Sequence, residues 1–256
     1  MTRLFHVSDL HFGREDKQAV AWFADTVRAE MPDAVICTGD LTMRARAQEF
    51  DAAGRYLEAL PVPVTVEPGN HDLPYFNPIA RLFHPYSRYG RVERLIERPL
   101  DLKHVTIVPL KTTARFQMRR NWSWGVVSRS GLTRALQMLR DAADDHIKIV
   151  ACHHPLLDKE GLESQAKNLR GREALQALAE AGAHAVLSGH VHDPFDIEHV
   201  VAGKTIRKIG AGTLSERTRS TPPSFNELRV ENGVLHVELR TLGDAPPLTV
   251  RPSLST

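Results

Sequence analysis

The chain is poor in cysteine, has no long apolar run and carries almost no net charge. Two cysteines, Cys37 and Cys152, occur in 256 residues, each inside an apolar run. They read as buried small hydrophobes, which excludes a disulfide framework or a thiolate metal site as the organising device. No stretch approaches the ~20 consecutive apolar residues needed to span a bilayer, so no membrane partner is expected. The chain is expected to enter a strand at once, without the charged leader and apolar stretch of a secretory signal, and the expected location is the cytoplasm. A formal net charge of +2 gives no phosphate-tracking surface, which argues against nucleic acid as a partner without excluding a nuclease. No internal repeat is visible.

What is present is an ordinary globular composition with an unusual number of histidines. A hydrophobic content of 42% and a charged content of 25% suit one large domain, or one domain with a small cap. The domain is expected over residues 1–242. The Pro-, Thr- and Ser-rich stretch 243–256 reads as a loose tail. The thirteen histidines need a reason for where they stand.

Strands and helices alternate through most of the chain. Arg3–Ser8 reads as a first strand ending in Asp9-Leu10-His11, and His6 packs within the sheet. Apolar residues at Ala19, Val20, Phe23, Ala24, Val27 and Met31 recur with a helical period over 16–31. Ala34–Thr38 is a strand apolar on both faces, ending in Gly39-Asp40. A helix follows over 45–60, with Phe50, Ala53, Leu57 and Leu60 on one stripe. The extended run Val62–Glu67 then turns at Pro68-Gly69 and presents Asn70, His71 and Asp72. The β-α-β-α-β order predicts parallel strands with right-handed connections.

Residues 78–97 read as one helix and Val105–Leu110 as a strand. In Lys111–Gly125, Arg115, Arg119 and Arg120 interleave with Phe116, Trp122 and Trp124. That stretch is either a solvated hairpin whose aromatics pack on the sheet or a loop that holds an anionic substrate. Ser130 is expected to cap a helix running to about Ala143. The strand Ile147–Cys152 ends in His153-His154-Pro155, and 156–170 reads as a polar loop. A helix over Arg172–Ala181 stops at Gly182. The strand Ala185–Ser188 ends in Gly189-His190-Val191-His192. Four short strands follow at about 195–201, 204–210, 224–231 and 234–241, with a tight turn at Asn232-Gly233. They are expected to complete a second sheet.

Five strand ends thus carry Asp9 and His11, Asp40, Asn70 and His71, His153, and His190 and His192. Parallel strands bring such ends together, where open α/β sheets place their chemistry. In an extended segment Asp9 and His11 point to one side, as do His190 and His192. Carboxylate, imidazole and one amide, without thiolate, suit Mn, Fe, Zn or Co. Seven ligands are too many for one tetrahedral ion. They suit two divalent ions sharing a carboxylate, an arrangement that clamps phosphoryl transfer.

Asp9-Leu10-His11, Gly39-Asp40, Gly69-Asn70-His71-Asp72, His153-His154-Pro155 and Gly189-His190-Val191-His192 resemble the five ordered blocks of calcineurin-like metallophosphoesterases, over about residues 3–241. Gly212–Arg217, followed by Ser224-Phe225-Asn226, resembles the branch containing bacterial cyclic-nucleotide and glycerol phosphodiesterases. The resemblance implies a four-layer α/β/β/α sandwich of two mixed sheets, with a dinuclear metal site at the carboxyl ends of the strands. It implies that Asp9, His11, Asp40 and His192 hold one ion. Asp40, Asn70, His153 and His190 hold the other, with Asp40 bridging. It places His71 near the leaving-group oxygen with Asp72 as its orienting partner, and gives His154 no ligand role. The activity implied is hydrolysis of a small phosphodiester, such as a cyclic nucleotide or glycerophosphodiester, by a metal-bridging hydroxide. A phosphomonoesterase or nuclease of the same fold is the alternative, and a scaffold without catalysis should have lost its ligands. The partner expected is a small anionic phosphoester, and a homodimer is compatible with the chain.

Overall fold

The computed structural model describes residues 1–74, 76–96, 98–116, 121–157 and 167–244. Its first half forms β1 (Thr2–Val7), α1 (Lys17–Glu30), β2 (Ala34–Cys37), α2 (Ala47–Glu58) and β3 (Val64–Val66). Next come α3 (Pro78–Phe83), α4 (Tyr89–Ile96), β4 (Val105–Pro109), β5 (Gly125–Val126) and α5 (Arg129–Asp141). The remainder is β6 (Ile147–Ala151), β7 (Asn168–Leu169), α6 (Gly171–Glu180) and β8 (Ala185–Ser188), then β9 (Phe195–Val201), β10 (Lys204–Gly210), β11 (Ser224–Glu231) and β12 (Val234–Thr241). One five-stranded sheet runs β12-β11-β1-β2-β3 and the other β4-β6-β8-β10-β9, while β5 and β7 form a small separate ladder.

Alternation along each strand divides the core into three layers. In β1 and β2, Phe5, Val7, Val35 and Cys37 pack with Phe23, Val27, Phe50 and Leu57 of α1 and α2. The intervening Leu4, Ala34 and Ile36 pack with Ile149, Leu187 and Ile209 of the opposite sheet. On the far side Val108, Val150 and Val186 pack with Leu139, Leu175 and Leu178 of α5 and α6. Each sheet is buried on both faces, which is why its central strands read as continuous apolar runs. The result is the expected α/β/β/α stack of two mixed sheets. Among the described residues no helix is long and apolar enough to cross a membrane.

Several expectations require correction. The helix expected over 78–97 is two helices, because Pro85 lacks an N–H and disfavours helical dihedrals at His84, whose φ is −135 and ψ 49. Ser128, not Ser130, caps α5; its hydroxyl accepts from the Gly131 N–H at 3.0 Å. The four last strands do not build one sheet. β9 and β10 extend the second sheet, whereas β11 pairs antiparallel with β1 and carries β12 to the edge of the first. An ion-pair cluster spans that pairing. Glu227, on β11 and 1% exposed, meets Arg3 Nε at 2.7 Å and Arg240 Nη1 at 2.6 Å, and Arg240 also meets Glu30 at 2.9 Å. The tail expected over 243–256 and the loop over 156–170 fall mostly outside the described residues.

Candidate metal centre

Every candidate ligand lies just past the carboxyl end of a strand. Asp9 and His11 follow β1, Asp40 follows β2, and Asn70–Asp72 form one 3-10 turn after β3. His153 follows β6, and His190 and His192 follow β8. Five of these residues hold left-handed backbone: Asp9 (φ 56), His11 (47), Asp40 (51), His190 (72) and His192 (61). Side chains other than glycine's pay for that conformation, and it persists where neighbours over-determine it. Here the neighbours are hydrogen bonds between loops. Asp9 N–H donates to the Gly39 carbonyl at 3.0 Å, His11 N–H to that of Asp40 at 2.9 Å and Gly189 N–H to that of His153 at 2.9 Å. Glycine is required where loops touch. A Cβ at Gly69 would run into the Asp40 carboxylate, and one at Gly189 into Ser8 and Asp9.

The side chains converge on one buried point. His192 Nε2 lies 3.1 Å from Asp9 Oδ1 and 3.1 Å from His11 Nε2. His11 Nε2 is 3.7 Å from Asp40 Oδ2, and His153 Nε2 is 3.5 Å from the same oxygen. Asn70 Oδ1 stands 3.2 Å from His153 Nε2. Asp40 therefore sits between His11 and His153. The tautomers are set from outside: His153 Nδ1–H donates to the Thr38 carbonyl and His192 Nδ1–H to that of Arg217, both at 2.7 Å. Each neutral ring then turns an Nε2 lone pair inward. Asp9 Oδ1, His11 Nδ1 and Asn70 Nδ2 are buried without a hydrogen-bond partner. Converging donor atoms beside unsatisfied buried polar atoms are what a cation site presents, and these residues fit divalent metal.

The electrostatics agree. Burial would raise the carboxyls of Asp9 and Asp40, yet the imidazoles around them hold both well below the ordinary range. Burial would lower His153, but the Asp40 carboxylate pulls it up to about 9. His190 falls to about 4 through burial and the charge of His153. A divalent ion at His153 Nε2 would displace the proton that Asp40 holds there.

His71 stands apart. It is half-buried, its Nδ1–H donates to the Met43 carbonyl at 2.7 Å, and its Nε2 faces a cavity 3.2 Å from Arg217 Nη1. Asp72 does not orient it, which corrects the expected pairing. The buried Asp72 carboxylate instead accepts from the backbone N–H groups of Leu41 (3.1 Å), Thr42 (2.9 Å) and Gly69 (2.9 Å) and from the Thr42 hydroxyl (3.0 Å). It ties the β2 and β3 loops together. Burial and the Asp40 charge push it up to about 7 against those donors. His154 faces the loop after β4. Its Nε2–H donates to the Ser123 carbonyl at 2.9 Å, and its Nδ1 lies 3.0 Å from the Thr112 hydroxyl.

A polar cavity of about 310 Å3 opens over the centre, lined by Asp40, Asn70, His71, Asn121, Ser123, Arg217 and Arg219 among others. Of these lining residues, Asn121 and Ser123 belong to the stretch read as a possible substrate-holding loop and Arg217 ends the block that resembles the phosphodiesterase branch, while Arg219 carried no signal in the sequence. Asn121 and Ser123 place the loop at the site, while Phe116 and Trp122 are exposed rather than packed on the sheet. Arg81 lies over the Trp122 ring at 4.9 Å. Arg119 and Arg120 fall outside the described residues.

The family model described as calcineurin-like phosphoesterase matches residues 2–194. The glycerophosphodiester phosphodiesterase GpdQ of Enterobacter lignolyticus is 34% identical over 93 residues, 30% of this chain and 34% of that protein. The match thus spans about a third of that curated relative's length. A dimetal phosphatase from Danio rerio superposes with a TM-score of 0.68 at 13% identity, covering 94% of this chain and 96% of the other. A purple acid phosphatase from yellow lupin (Lupinus luteus) seeds gives 0.62 at 14%, covering 94% and 51%. These two likenesses are of fold.

Proposed function

The chain belongs to the calcineurin-like phosphoesterases, and on that premise we propose that it hydrolyses a small phosphodiester with two divalent ions at the strand ends. The observation that carries this reading is the convergence of imidazole nitrogens and carboxylate oxygens beneath an open polar cavity. Asp9, His11, Asp40 and His192 would hold one ion. Asp40, Asn70, His153 and His190 would hold the other, with Asp40 shared. When bound, such a pair neutralises phosphoryl oxygens and makes water acidic enough to attack near neutral pH.

The protein's own groups do the rest. The Met43 carbonyl keeps a proton on Nδ1 of His71 and turns Nε2 to the cavity, where it accepts from Arg217 Nη1 at 3.2 Å. With a second proton on Nε2 and Arg217 turned to the substrate, His71 would protonate the leaving alkoxide as the bond to phosphorus breaks, which is general-acid catalysis. Arg217 presents its guanidinium to the same space and is placed to pair with a non-bridging oxygen. Its carbonyl at the same time fixes the His192 tautomer. Asp72 and Thr42 hold the turn that carries Asn70 and His71.

A second reading, phosphomonoesterase, is favoured by Arg217 and Arg219 lining one cavity, because two guanidinium groups suit a dianionic group. The deciding experiment compares bis(4-nitrophenyl) phosphate with 4-nitrophenyl phosphate on one metal-loaded preparation. Faster turnover of the diester is expected. A clear reversal makes the protein a monoesterase.

A further inference from the structure

Five groups of three potential metal ligands occur among the described residues, and four of them belong to the centre already described. The fifth, His104, Asp145 and His146, lies at the opposite pole of the molecule. His104 immediately precedes β4 and His146 immediately precedes β6. These strands pair in parallel with Val105 opposite Ile147, so the register sets the two histidines side by side. The Ile147 N–H donates to the His104 carbonyl at 2.8 Å and closes the ladder just there. His104 takes a left-handed backbone, with φ 58. Asp145 comes in on the turn before His146, whose N–H donates to the Ala143 carbonyl at 3.2 Å.

The side chains then meet. His104 Nδ1 is 2.8 Å from Asp145 Oδ2, and the two imidazole rings stand 6.1 Å apart at 73°. One ligand atom from each of the three residues lies within 4.8 Å of the others. An ion with nitrogen and oxygen ligands at about 2.0–2.2 Å holds them about 3.4 Å apart when tetrahedral. Closing that gap takes side-chain movements of about 1 Å. His104 and Asp145 have side chains about two-thirds exposed, at 66% and 65%, so nothing packed resists the movement. The Thr106 hydroxyl lies 2.8 Å from His146 Nδ1, a contact that can hold that ring by one nitrogen and leave the other for a metal. An ordinary surface ion pair between His104 and Asp145 would not need the third residue.

We propose that His104, Asp145 and His146 form a separate, solvent-open site for a transition-metal dication of the zinc or copper type. Two imidazoles and one carboxylate favour such ions over magnesium or calcium, and water would complete the shell. The site cannot share in hydrolysis. β4 alone separates the two poles by about 15 Å at ~3.3 Å per residue. A cation there pins the start of β4, an edge strand, to β6 and stabilises that edge as the ion concentration rises.

The experiment uses the full chain stripped of metal and titrated with zinc against a chromophoric chelator. The wild type should bind one zinc per chain more than His104→Ala/His146→Ala, and the additional equivalent should be the weaker. Its thermal midpoint should keep rising at zinc concentrations that no longer move the double variant. With the tighter sites first filled by zinc, added copper should show nitrogen hyperfine splitting that the double variant lacks. Asp145→Asn should weaken the additional zinc without touching the tighter equivalents. Melting in chelator, the same for all three proteins, verifies that the variants fold. Equal zinc stoichiometry in wild type and double variant overturns the proposal, as does an additional equivalent that survives both substitutions. Because the comparison is a difference, it stands whatever the catalytic pole binds.

Discussion

Asp72→Asn separates two accounts of the residue next to His71. If Asp72 oriented the imidazole, the substitution would mainly slow substrates with poor leaving groups. The geometry gives it another task. Oδ2 receives the N–H groups of Leu41 and Gly69, and Oδ1 receives the N–H and hydroxyl of Thr42. An amide keeps one oxygen and turns an NH2 group toward whichever pair lost its acceptor. Turned toward Thr42, whose hydroxyl can swing to the His71 carbonyl 3.1 Å away, it leaves one fixed buried donor, the Thr42 N–H, facing a donor. Leaving a buried donor unsatisfied costs ~1–3 kcal/mol, so the loss should be of that size, against a typical total of ~5–15 kcal/mol. The affected bonds join the Asp40 loop to the Asn70 turn, so metal affinity should fall with stability. The assays are urea unfolding in chelator, metal titration, and rates on diesters with leaving groups of different pKa. The reasoning is refuted by a stability loss below ~1 kcal/mol together with a rate defect that grows with leaving-group pKa.

Other outcomes follow from the same geometry. His71→Ala should retain both ions and lose roughly 100- to 10,000-fold in turnover, most with alkoxide leaving groups and least with nitrophenolate; metal loss on elemental analysis would make His71 a ligand instead. Asp40→Ala, which removes the carboxylate between His11 and His153, should damage metal content more than any other ligand change, whereas Asn70→Ala should loosen one ion more than the other in titration. His6 is buried with its Nε2 3.0 Å from the Thr38 hydroxyl, and burial drives it from 6.5 down to about 3. The unfolded chain therefore binds the extra proton between pH 6.5 and 3, and the His6 contribution, whole above pH 6.5, is lost on acidification; His6→Gln should remove ~2 kcal/mol of the stability difference between pH 7.5 and 5.0 in urea unfolding with chelator.

What the sequence made legible follows from how far each signal reaches along the chain. The alternation in β1 and β2 and the helical stripes of α1 and α2 are local. So are the turn chemistry at Gly69 and at Asn232-Gly233, and each matched an element within a residue or two. The ligand loops were legible for the same reason, since each is a short polar block at the end of an apolar run. The choice of sheet for β11 was not, because its partner β1, where Arg3 meets Glu227, lies more than two hundred residues away. The groups that orient the imidazoles were hidden for a different reason. Thr38, Met43 and Arg217 act through backbone carbonyls, which every residue type carries, so no side-chain pattern marks them. A carboxylate beside a histidine, as in His71-Asp72, is a pattern the eye finds. Within a 3-10 turn, however, adjacent side chains point apart. Asp72 reaches back to the β2 loop while His71 faces the cavity. The His71 partner that could not be read as a pattern fixes its tautomer, and the neighbour that could be read fixes the turn.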